Sequence, residues 1–373
     1  MVGFATLAAG TSFYLFSAAL PLYLNRHLGY SVQAVGVMVA LTAIAQIVAT
    51  LGSGPVIDRL GARFGLRVGI ACYLLAATLL IASSAYLPIA AARILQGIGL
   101  SLVLPSVFSI VPAFVPKGRQ GTAIGLVGAF NNLGLAIGPP LGIALLSASP
   151  FVLFGAALLA AGAAIAASVL LRVGLPAAEP GQLLKYRMEW TPLYAITFLC
   201  VVYWGVVTAF LAIEVPASQV PNVGWFFAAD ALAVMAARIP AGSLADRFGS
   251  RWLLLAGVVT TGVAISLLFL TPSFLTLVVA GIGTGVGAAL LLPPILLELT
   301  RRSDERDRGT AMALYNTSFA AAVAVGSLGG AVLVQAFGFQ ATLLASFVSC
   351  LAAAPVALAF VRPIENAKPA DGW

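Results

Sequence analysis

The sequence predicts an all-α membrane protein of twelve transmembrane helices, arranged as two pseudo-symmetric six-helix bundles. Three observations lead to this prediction: the composition, the spacing of the apolar segments, and a repeat of the first half in the second. Apolar residues make up 61% of the 373 and charged residues only 8%, whereas soluble domains have roughly 45–50% and 25%. Such a chain needs the bilayer as its solvent.

Twelve apolar segments are long enough to cross roughly 30 Å of hydrocarbon. The first is uncharged and lacks a basic leader, so we expect a retained helix rather than a signal peptide. Unbroken apolar runs favour helices over the alternating strands of a membrane barrel. The predicted spans are 3–24, 34–56, 66–86, 88–113, 122–146, 151–172, 191–213, 223–244, 252–271, 274–299, 309–334 and 340–361.

The second half repeats the first at a constant offset of 188 residues. Duplicated helical halves are common in membrane transporters, with the substrate site between them. We therefore expect an N-terminal bundle at 1–172, a cytoplasmic linker at 173–190 and a C-terminal bundle at 191–373. The repeated pairs include Gly54 and Gly242, Asp58 and Asp246, Arg59 and Arg247, Gly61 and Gly249, Arg63 and Arg251, Gly97 and Gly285, and Gly99 and Gly287.

The basic residues predict the orientation. Sixteen of the 19 lysines and arginines lie in alternate loops and in the C-terminal tail, whereas Arg26 lies in the opposite set of loops and Arg93 and Arg238 lie within spans. The positive-inside rule makes the sixteen cytoplasmic, so we expect a multi-pass protein of the cytoplasmic membrane with both termini inside. The net charge of +7 is then a topology signal, and no nucleic-acid partner is expected.

Several classes of chemistry have no matching pattern. The chain has no P-loop motif, and its one histidine, His27, lies in a predicted outer loop. The three cysteines, Cys72, Cys200 and Cys350, all fall in apolar runs, where they are expected to pack rather than to form disulfides or bind metal. We therefore expect no enzyme activity, no cofactor and no metal site.

A polar loop occurs twice, as GPVIDRLGARFG at 54–65 and GSLADRFGSRWL at 242–253. Glycine allows close helix contact and tight turns, and adjacent Asp and Arg can pair across helices or cap a helix end. Two copies in register favour a conformational latch over simple membrane anchoring. The predicted latch residues are Gly54, Asp58, Arg59, Gly61, Arg63, Gly242, Asp246, Arg247, Gly249, Arg251 and, near the second copy, Glu298.

Both loops resemble the signature of the major facilitator superfamily, G-x-L-A-D-R-x-G-R, which lies between helices 2 and 3 and between helices 8 and 9. The second copy is the closer match, because Pro55 and Ile57 depart from the pattern in the first. The resemblance covers essentially the whole chain. It implies two six-helix bundles that rock about a central site and give alternating access.

Two further segments resemble motifs of this superfamily. RILQGIGLS at 93–101 resembles the fourth-helix motif R-x-x-Q-G, whose arginine is implicated in proton transfer in proton-coupled exporters. A guanidinium does not titrate near neutral pH, so Arg93 is expected to stabilise a nearby carboxylate or hold an anion, with a structural interhelical contact as the alternative.

GLAIGPPLG at 134–142 resembles the G-x-x-x-G-P-x-x-G motif of the antiporters, which implies export. Its prolines are expected to bend the helix, and its glycines to allow tight packing. A generic kinked helix is the alternative. The motif residues are Gly134, Gly138, Pro139, Pro140 and Gly142.

Two carboxylates, Asp230 and Glu298, lie within predicted spans. Burial disfavours the charged form of a carboxylate, so Asp230 is the first candidate for proton coupling, with Arg93 and Arg238 as further candidates. Arg238 lies eight residues from Asp230, about 12 Å of helical rise, which is too far for a direct pair in one straight helix. Span 1 has no acid, although many exporters of this superfamily have one there.

Other polar and aromatic residues within spans can line a binding cavity or form interhelical hydrogen bonds. The cavity candidates are Tyr14, Gln96, Asn131, Asn132, Tyr203, Trp204, Tyr315 and Asn316.

Together these patterns predict a secondary active transporter that works by rocker-switch alternating access and exports a drug, sugar or metabolite in exchange for protons. In this scheme proton and substrate compete for one cavity. An importer or facilitator without antiport is the alternative, and a non-transporting membrane sensor or a membrane-embedded enzyme is less favoured. The expected partners are a small-molecule substrate, protons and the lipid bilayer, and the chain is expected to be a monomer.

Overall fold

The structure is a computed structural model, which describes residues 1–116, 119–171, 186–248, 250–270, 272–304 and 307–360. Regular structure in these ranges is helical throughout, as predicted. The α-helices are α1 (Val2–Leu22), α2 (Val32–Leu60), α3 (Ala62–Ala82), α4 (Tyr86–Ile110), α5 (Gln120–Ala148), α6 (Pro150–Val169), α7 (Thr191–Glu214), α8 (Gly224–Phe248), α9 (Ser250–Leu267), α10 (Phe274–Arg301), α11 (Arg308–Leu351) and α12 (Ala353–Phe360).

Local chemistry accounts for several helix ends. Ser31 accepts a hydrogen bond from the amide of Ala34 at the start of α2, and Ser273 with Thr276 forms a capping box at the start of α10. Gly61, with φ of 89°, is the single residue between α2 and α3, a conformation that side chains disfavour. Gly338, with φ of 85°, interrupts α11 between the two spans predicted at 309–334 and 340–361.

Ten stretches of the described residues are helices long and apolar enough to cross a membrane. The last, Gly309–Ala359, has 51 residues and is about 76 Å long at the helical rise, enough for two crossings. Large apolar side chains also face outward, such as Leu159, which is 75% exposed; lipid is the solvent that suits such a surface. The chain is therefore a multi-pass membrane protein, while the count of twelve crossings stays a prediction.

The helix contacts repeat when each helix number is raised by six. Helix α1 packs on α5 and α6, as α7 packs on α11 and α12, and α4 packs on α2 and α3, as α10 packs on α8 and α9. Single contacts repeat too: a methyl group on Gly97 would meet the backbone oxygen of Thr42, and one on Gly285 would meet that of Asp230. The two halves thus share one internal architecture. The domain boundaries stay predictions, and linker residues 172–185 lie outside the described residues.

The halves contact each other along α2 with α11 and along α5 with α8. We call the end where α2 meets α3 the basic end, because the basic loops lie there, and the other the opposite end. At the opposite end the halves are in close contact: Arg26 donates to the carbonyls of Ile213 and Val215, and Asn222 donates to that of Pro140 at 2.8 Å. The structure is therefore closed at the opposite end.

Towards the basic end the halves separate. On the face of α2 that meets α11, Ala40 and Ala43 are 1% and 4% exposed, but Leu51, on the same face, is 59% exposed. On α5, Ala136 is buried, whereas a methyl group on Gly125 would have no described atom within 4 Å. A gap between the halves therefore widens towards the basic end.

Candidate functional site

The inter-half gap is defined here by Gly128 and Asn132 of α5, Arg238 of α8, and Tyr315 and Asn316 of α11. Positions four residues apart share a helix face, so Gly128 and Asn132 continue the face of α5 that includes Pro140, which contacts the start of α8. Asn316 lies four residues before Ala320, which packs on α2, and it is exposed. The gap is thus lined by both halves.

Among the residues that define the inter-half gap, Arg238 is the basic one. A methyl group on Gly128 would lie 3.5 Å from its Nη1, so the guanidinium extends from the C-terminal half to the N-terminal half. It also interacts electrostatically with the Tyr315 hydroxyl group. No carboxylate among the described residues pairs with it. Arg238 is half-buried, and it therefore presents a positive charge to the gap.

Helix α5 has two adjacent amides in different environments. Asn131 donates from Nδ2 to the Tyr14 hydroxyl at 3.4 Å, across to α1 in the same half. The Nδ2 of Asn132, by contrast, is buried without a hydrogen-bond partner among the described residues. Because unsatisfied buried donors are uncommon and cost free energy, Asn132 marks a position where a further polar group fits.

Asp230 lies inside the C-terminal half rather than in the gap. It is 4% exposed and accepts a hydrogen bond from Oγ1 of Thr284 on α10 at 2.7 Å. Tyr203 of α7 lies near Thr284 and interacts electrostatically with Asp230. The carboxylate is thus held at the junction of α7, α8 and α10, and no described cation pairs with it. This placement differs from the expectation that proton and substrate compete for one cavity.

Arg93 lies at the corresponding helix junction of the N-terminal half, between α4 and α2. It donates from Nε to the carbonyl of Met38 at 2.9 Å and from Nη1 to Oε1 of Gln96 at 2.6 Å. Its own carbonyl accepts from the Thr42 hydroxyl at 3.1 Å. Arg93 therefore joins α4 to α2, which is the structural alternative, and it contacts no described carboxylate. Thr42 and Gln96 precede Asp230 and Thr284 by the repeat offset of 188 residues.

Three cavity candidates lie within the bundles rather than in the gap. Gln96 is 1% exposed beside Arg93, and Tyr203 is 5% exposed beside Thr284. Trp204 packs edge-to-face against Phe227. Hydropathy identifies polar residues within spans but not the side of the helix they occupy, so it does not separate these three from Asn132 and Tyr315.

The latch prediction falls partly outside the described residues. Gly249 lies outside them. The surroundings of five others are also outside the description: Gly54, Asp58, Gly242, Asp246 and Arg247. Arg59 is exposed at the end of α2, and Nε of Arg251 is buried without a described hydrogen-bond partner. Arg63 donates to the carbonyl of Leu171 at 3.1 Å, just past the end of α6, where a cation is favoured by the helix dipole. The ionic partners of Glu298 in the described chain are Arg301 and Arg302.

The glycines of the 134–142 motif pack α5 on α1. Methyl groups on Gly134, Gly138 and Gly142 would meet backbone atoms of Thr11, Tyr14 and Leu15 in turn, and at Gly138 also Cβ of Tyr14. Such close approach requires glycine. Pro139 and Pro140 lie within α5 and contact Gly224 at the start of α8. The motif therefore contributes both to packing in the N-terminal half and to the closed opposite end.

Sequence reasoning missed a polar cluster before α7. Arg187 pairs with Asp304 and, at 2.6 Å, with Asp307 in the loop between α10 and α11. Trp190 is fully buried and donates to the carbonyl of Arg302 at 3.2 Å. The cluster joins the end of the linker to the C-terminal half. The available signal was the three acids of an otherwise basic loop, Asp304, Glu305 and Asp307.

The chain is similar to known membrane transporters both in sequence and in fold. The family model described as Major Facilitator Superfamily matches residues 2–217 and 193–372. Among solved structures, a peptide transporter in complex with alafosfalin superposes with a TM-score of 0.81 at 15% identity, covering 97% of this chain and 94% of that chain. At this identity the match shows the fold alone.

Relatives in sequence are named as transporters. An uncharacterized MFS-type transporter of Salmonella typhimurium is 26% identical over 80% of this chain and 79% of its own length. The chromaffin granule amine transporter and the vesicular acetylcholine transporter of Rattus norvegicus are each 26% identical over 82% and 87% of this chain. The chain spans 61% and 65% of the lengths of these two relatives.

Proposed function

Because the chain belongs to the major facilitator superfamily, we propose that it is a secondary active transporter that exports a small molecule in exchange for protons by alternating access. That it is a membrane transporter and not an enzyme, as predicted, follows from the family and the named relatives. The direction of transport, the coupled ion and the rocking motion are the proposal.

The gap supports alternating access between the two halves. It widens towards the basic end and is closed at the opposite end by Arg26, Asn222 and Gly224. With the basic end in the cytoplasm, this is an inward-facing state that can receive a cytoplasmic solute. The latch loops at the basic end would close in the other state, when the contacts at the opposite end break.

The buried carboxylate of Asp230 is the observation that carries proton coupling. A charged carboxylate in a membrane interior is costly, and no described cation offsets it. Its one hydrogen bond within the described residues comes from Thr284, which a charged or neutral carboxyl can accept. Such a group can alternate between a protonated and a deprotonated state when water reaches it from one side or the other.

Coupling in this scheme passes through α8, which carries both Asp230 and Arg238. Asp230 faces α10 and α7, and Arg238, two turns further along, faces the gap. Protonation changes how α8 is held on α10, and movement of α8 carries Arg238 with it. This replaces direct competition in one cavity by coupling between two sites on one helix.

Export rests on the resemblance of residues 134–142 to the antiporter motif. An importer or facilitator on the same fold is the second candidate, and the absence of an acid in span 1 favours it. The two candidates differ in the direction and coupling of substrate flux, so measuring flux of labelled substrate both into and out of vesicles distinguishes them.

The test is fluorescence of a pH-sensitive dye in inside-out vesicles with an imposed acid-inside gradient. Drugs, sugars and metabolites are added to vesicles with the wild type, Asp230→Asn, or Glu214→Gln as the matched control at the end of α7. We expect a transported compound to release protons with the wild type and the control but not with Asp230→Asn. That variant should still exchange labelled substrate, because its cavity is intact.

Two results would contradict the proposal. Full proton-driven transport by Asp230→Asn would exclude Asp230 as the coupling site. Movement of labelled compounds without loss of the gradient in the wild type would favour the facilitator.

A further inference from the structure

We infer that the inter-half gap binds a small organic anion through its carboxylate, with Arg238 as the charged group that recognises it. This inference rests on the proposed transport function and names its substrate class. It makes Arg238 a substrate-binding residue rather than a member of the proton pathway.

The first observation is a positive charge that no carboxylate among the described residues pairs with. Arg238 is half-buried in the gap, and the described carboxylates of the spans are directed elsewhere. Asp230 faces Thr284, Glu298 pairs with Arg301 and Arg302, and Glu214 lies at the far end of α7. Partial desolvation of a guanidinium is favourable only with an anion or good acceptors nearby. The gap therefore has an excess of positive charge that a solute anion would balance.

The second observation is independent of charge. The Nδ2 group of Asn132 is buried without a described partner, and Asn132 lies one turn from Gly128, which Arg238 contacts. Two donors from opposite halves thus lie on the two sides of one space, and the hydroxyl group of Tyr315 interacts electrostatically with the guanidinium. Gly128 contributes room, because it places no side chain between Asn132 and Arg238.

The donor set fits a carboxylate. A guanidinium presents a planar fork that matches two carboxylate oxygens, and a single positive charge balances the single negative charge of a carboxylate. A primary amine would be repelled by Arg238 and would leave the Asn132 donor unsatisfied. This chain therefore differs from its two relatives named for amine and acetylcholine transport, whose named substrates are cations.

Thermal unfolding of the purified full-length protein tests the inference. The probes are two matched sets that differ only in the terminal group: phenylacetate, phenylacetamide and phenethylamine; and hexanoate, hexanamide and hexylamine. Each is titrated at constant ionic strength into the wild type, Arg238→Gln, Arg238→Lys and Asn132→Ala. Arg67→Gln is the control for loss of a positive charge outside the gap, because Arg67 of α3 donates to the carbonyl of Ser168 on α6, within the N-terminal half.

We expect at least one carboxylate to raise the Tm of the wild type more than its amide, and the amine to have no effect. Hydrogen bonds to charged groups stabilise by roughly 1.5–3 kcal/mol, so Arg238→Gln should weaken apparent affinity by about tenfold or more. Asn132→Ala should weaken it less, Arg238→Lys should retain part of it, and Arg67→Gln should retain all of it.

Three results would overturn the inference: no stabilisation by either carboxylate, equal stabilisation by the amine, or an unchanged carboxylate effect in Arg238→Gln. The comparison of carboxylate with amine in the wild type does not depend on any variant folding. The readout is binding, so this inference and the proposed antiport can fail separately. Carboxylate selectivity without proton release would refute antiport but not this inference. Proton release driven by amines would support antiport and refute this inference.

Discussion

Close packing of α8 on α10 at Gly285 predicts a position-specific cost of adding one methyl group. In Gly285→Ala the new Cβ would meet the backbone oxygen of Asp230 and lie 2.8 Å from Cβ of Ala233. Ordinary contacts of this kind are 3.4–4 Å, so the two helices must separate by roughly half an ångström or more. Because one of the atoms is backbone, no rotamer change relieves the contact.

The magnitude follows from two opposing effects. Overpacking a core costs roughly 1–3 kcal/mol, and the contact with backbone places this site near the upper limit. Replacing a helical glycine by alanine gains about 1 kcal/mol in helix propensity. We therefore expect Gly285→Ala to destabilise the protein by about 2 kcal/mol. Its repeat partner Gly97, which meets Thr42 and Ala45 in the same way, should behave alike.

Gly125→Ala is the matched control, because its methyl group would have no described atom within 4 Å. It keeps the gain in helix propensity without the clash. Thermal unfolding of the three purified variants in one detergent should therefore rank Gly125→Ala at or above the wild type and the other two clearly below it. Equal stability of Gly285→Ala and Gly125→Ala would refute the argument from close packing, and a cost at Gly285 but not at Gly97 would refute the equivalence of the halves.

Two further predictions concern the ends of the helices. Arg26→Gln removes the guanidinium that donates to the last carbonyls of α7, so the opposite end should open more often. The reporter is Ala331→Cys, at a position that is 3% exposed, and it should react several times faster with a membrane-impermeant maleimide when Arg26 is replaced. An unchanged rate would contradict the role of Arg26. Trp190→Ala removes a fully buried indole and its hydrogen bond. It should cost roughly 3–5 kcal/mol of stability, measured as a fall in Tm, whereas Trp190→Phe keeps most of the packing. Similar Tm values for the two variants would show that the indole does not anchor the start of α7.

Much of the fold could be predicted because hydropathy and the repeat act over long stretches. The helical class, the multi-pass membrane character and the family followed from apolar segments of sufficient length and from the paired loops. The predicted gap between the spans 309–334 and 340–361 contains Gly338, where α11 is interrupted. The helix begins at Arg308, one residue before the predicted start. Glycine pairs separated by 188 residues occupy equivalent contacts, because close helix packing has the same steric requirement in both halves.

The candidate site was less predictable, because the direction of a side chain depends on helix rotation and on the neighbouring helix. Asp230 and Arg238 are on one helix, yet one faces α10 and the other faces the gap. Arg93 and Gln96 match a motif associated with proton transfer, but their geometry is that of an interhelical contact. Gly128 and Thr284 gave no signal in the sequence, since a glycine and a threonine within spans are common.

The sequence by itself determined that the chain folds in a membrane as duplicated helical halves, because apolar length, basic loops and repeated glycines are properties of the residues alone. Only the tertiary structure decided which polar groups meet. Burial of Asp230 against Thr284, exposure of Arg238 to the gap and closure at the opposite end all depend on the distances between helices that are far apart in the chain. Those distances are set by helix packing, within the C-terminal half for Asp230 and Thr284 and between the halves for Arg238 and the closed end.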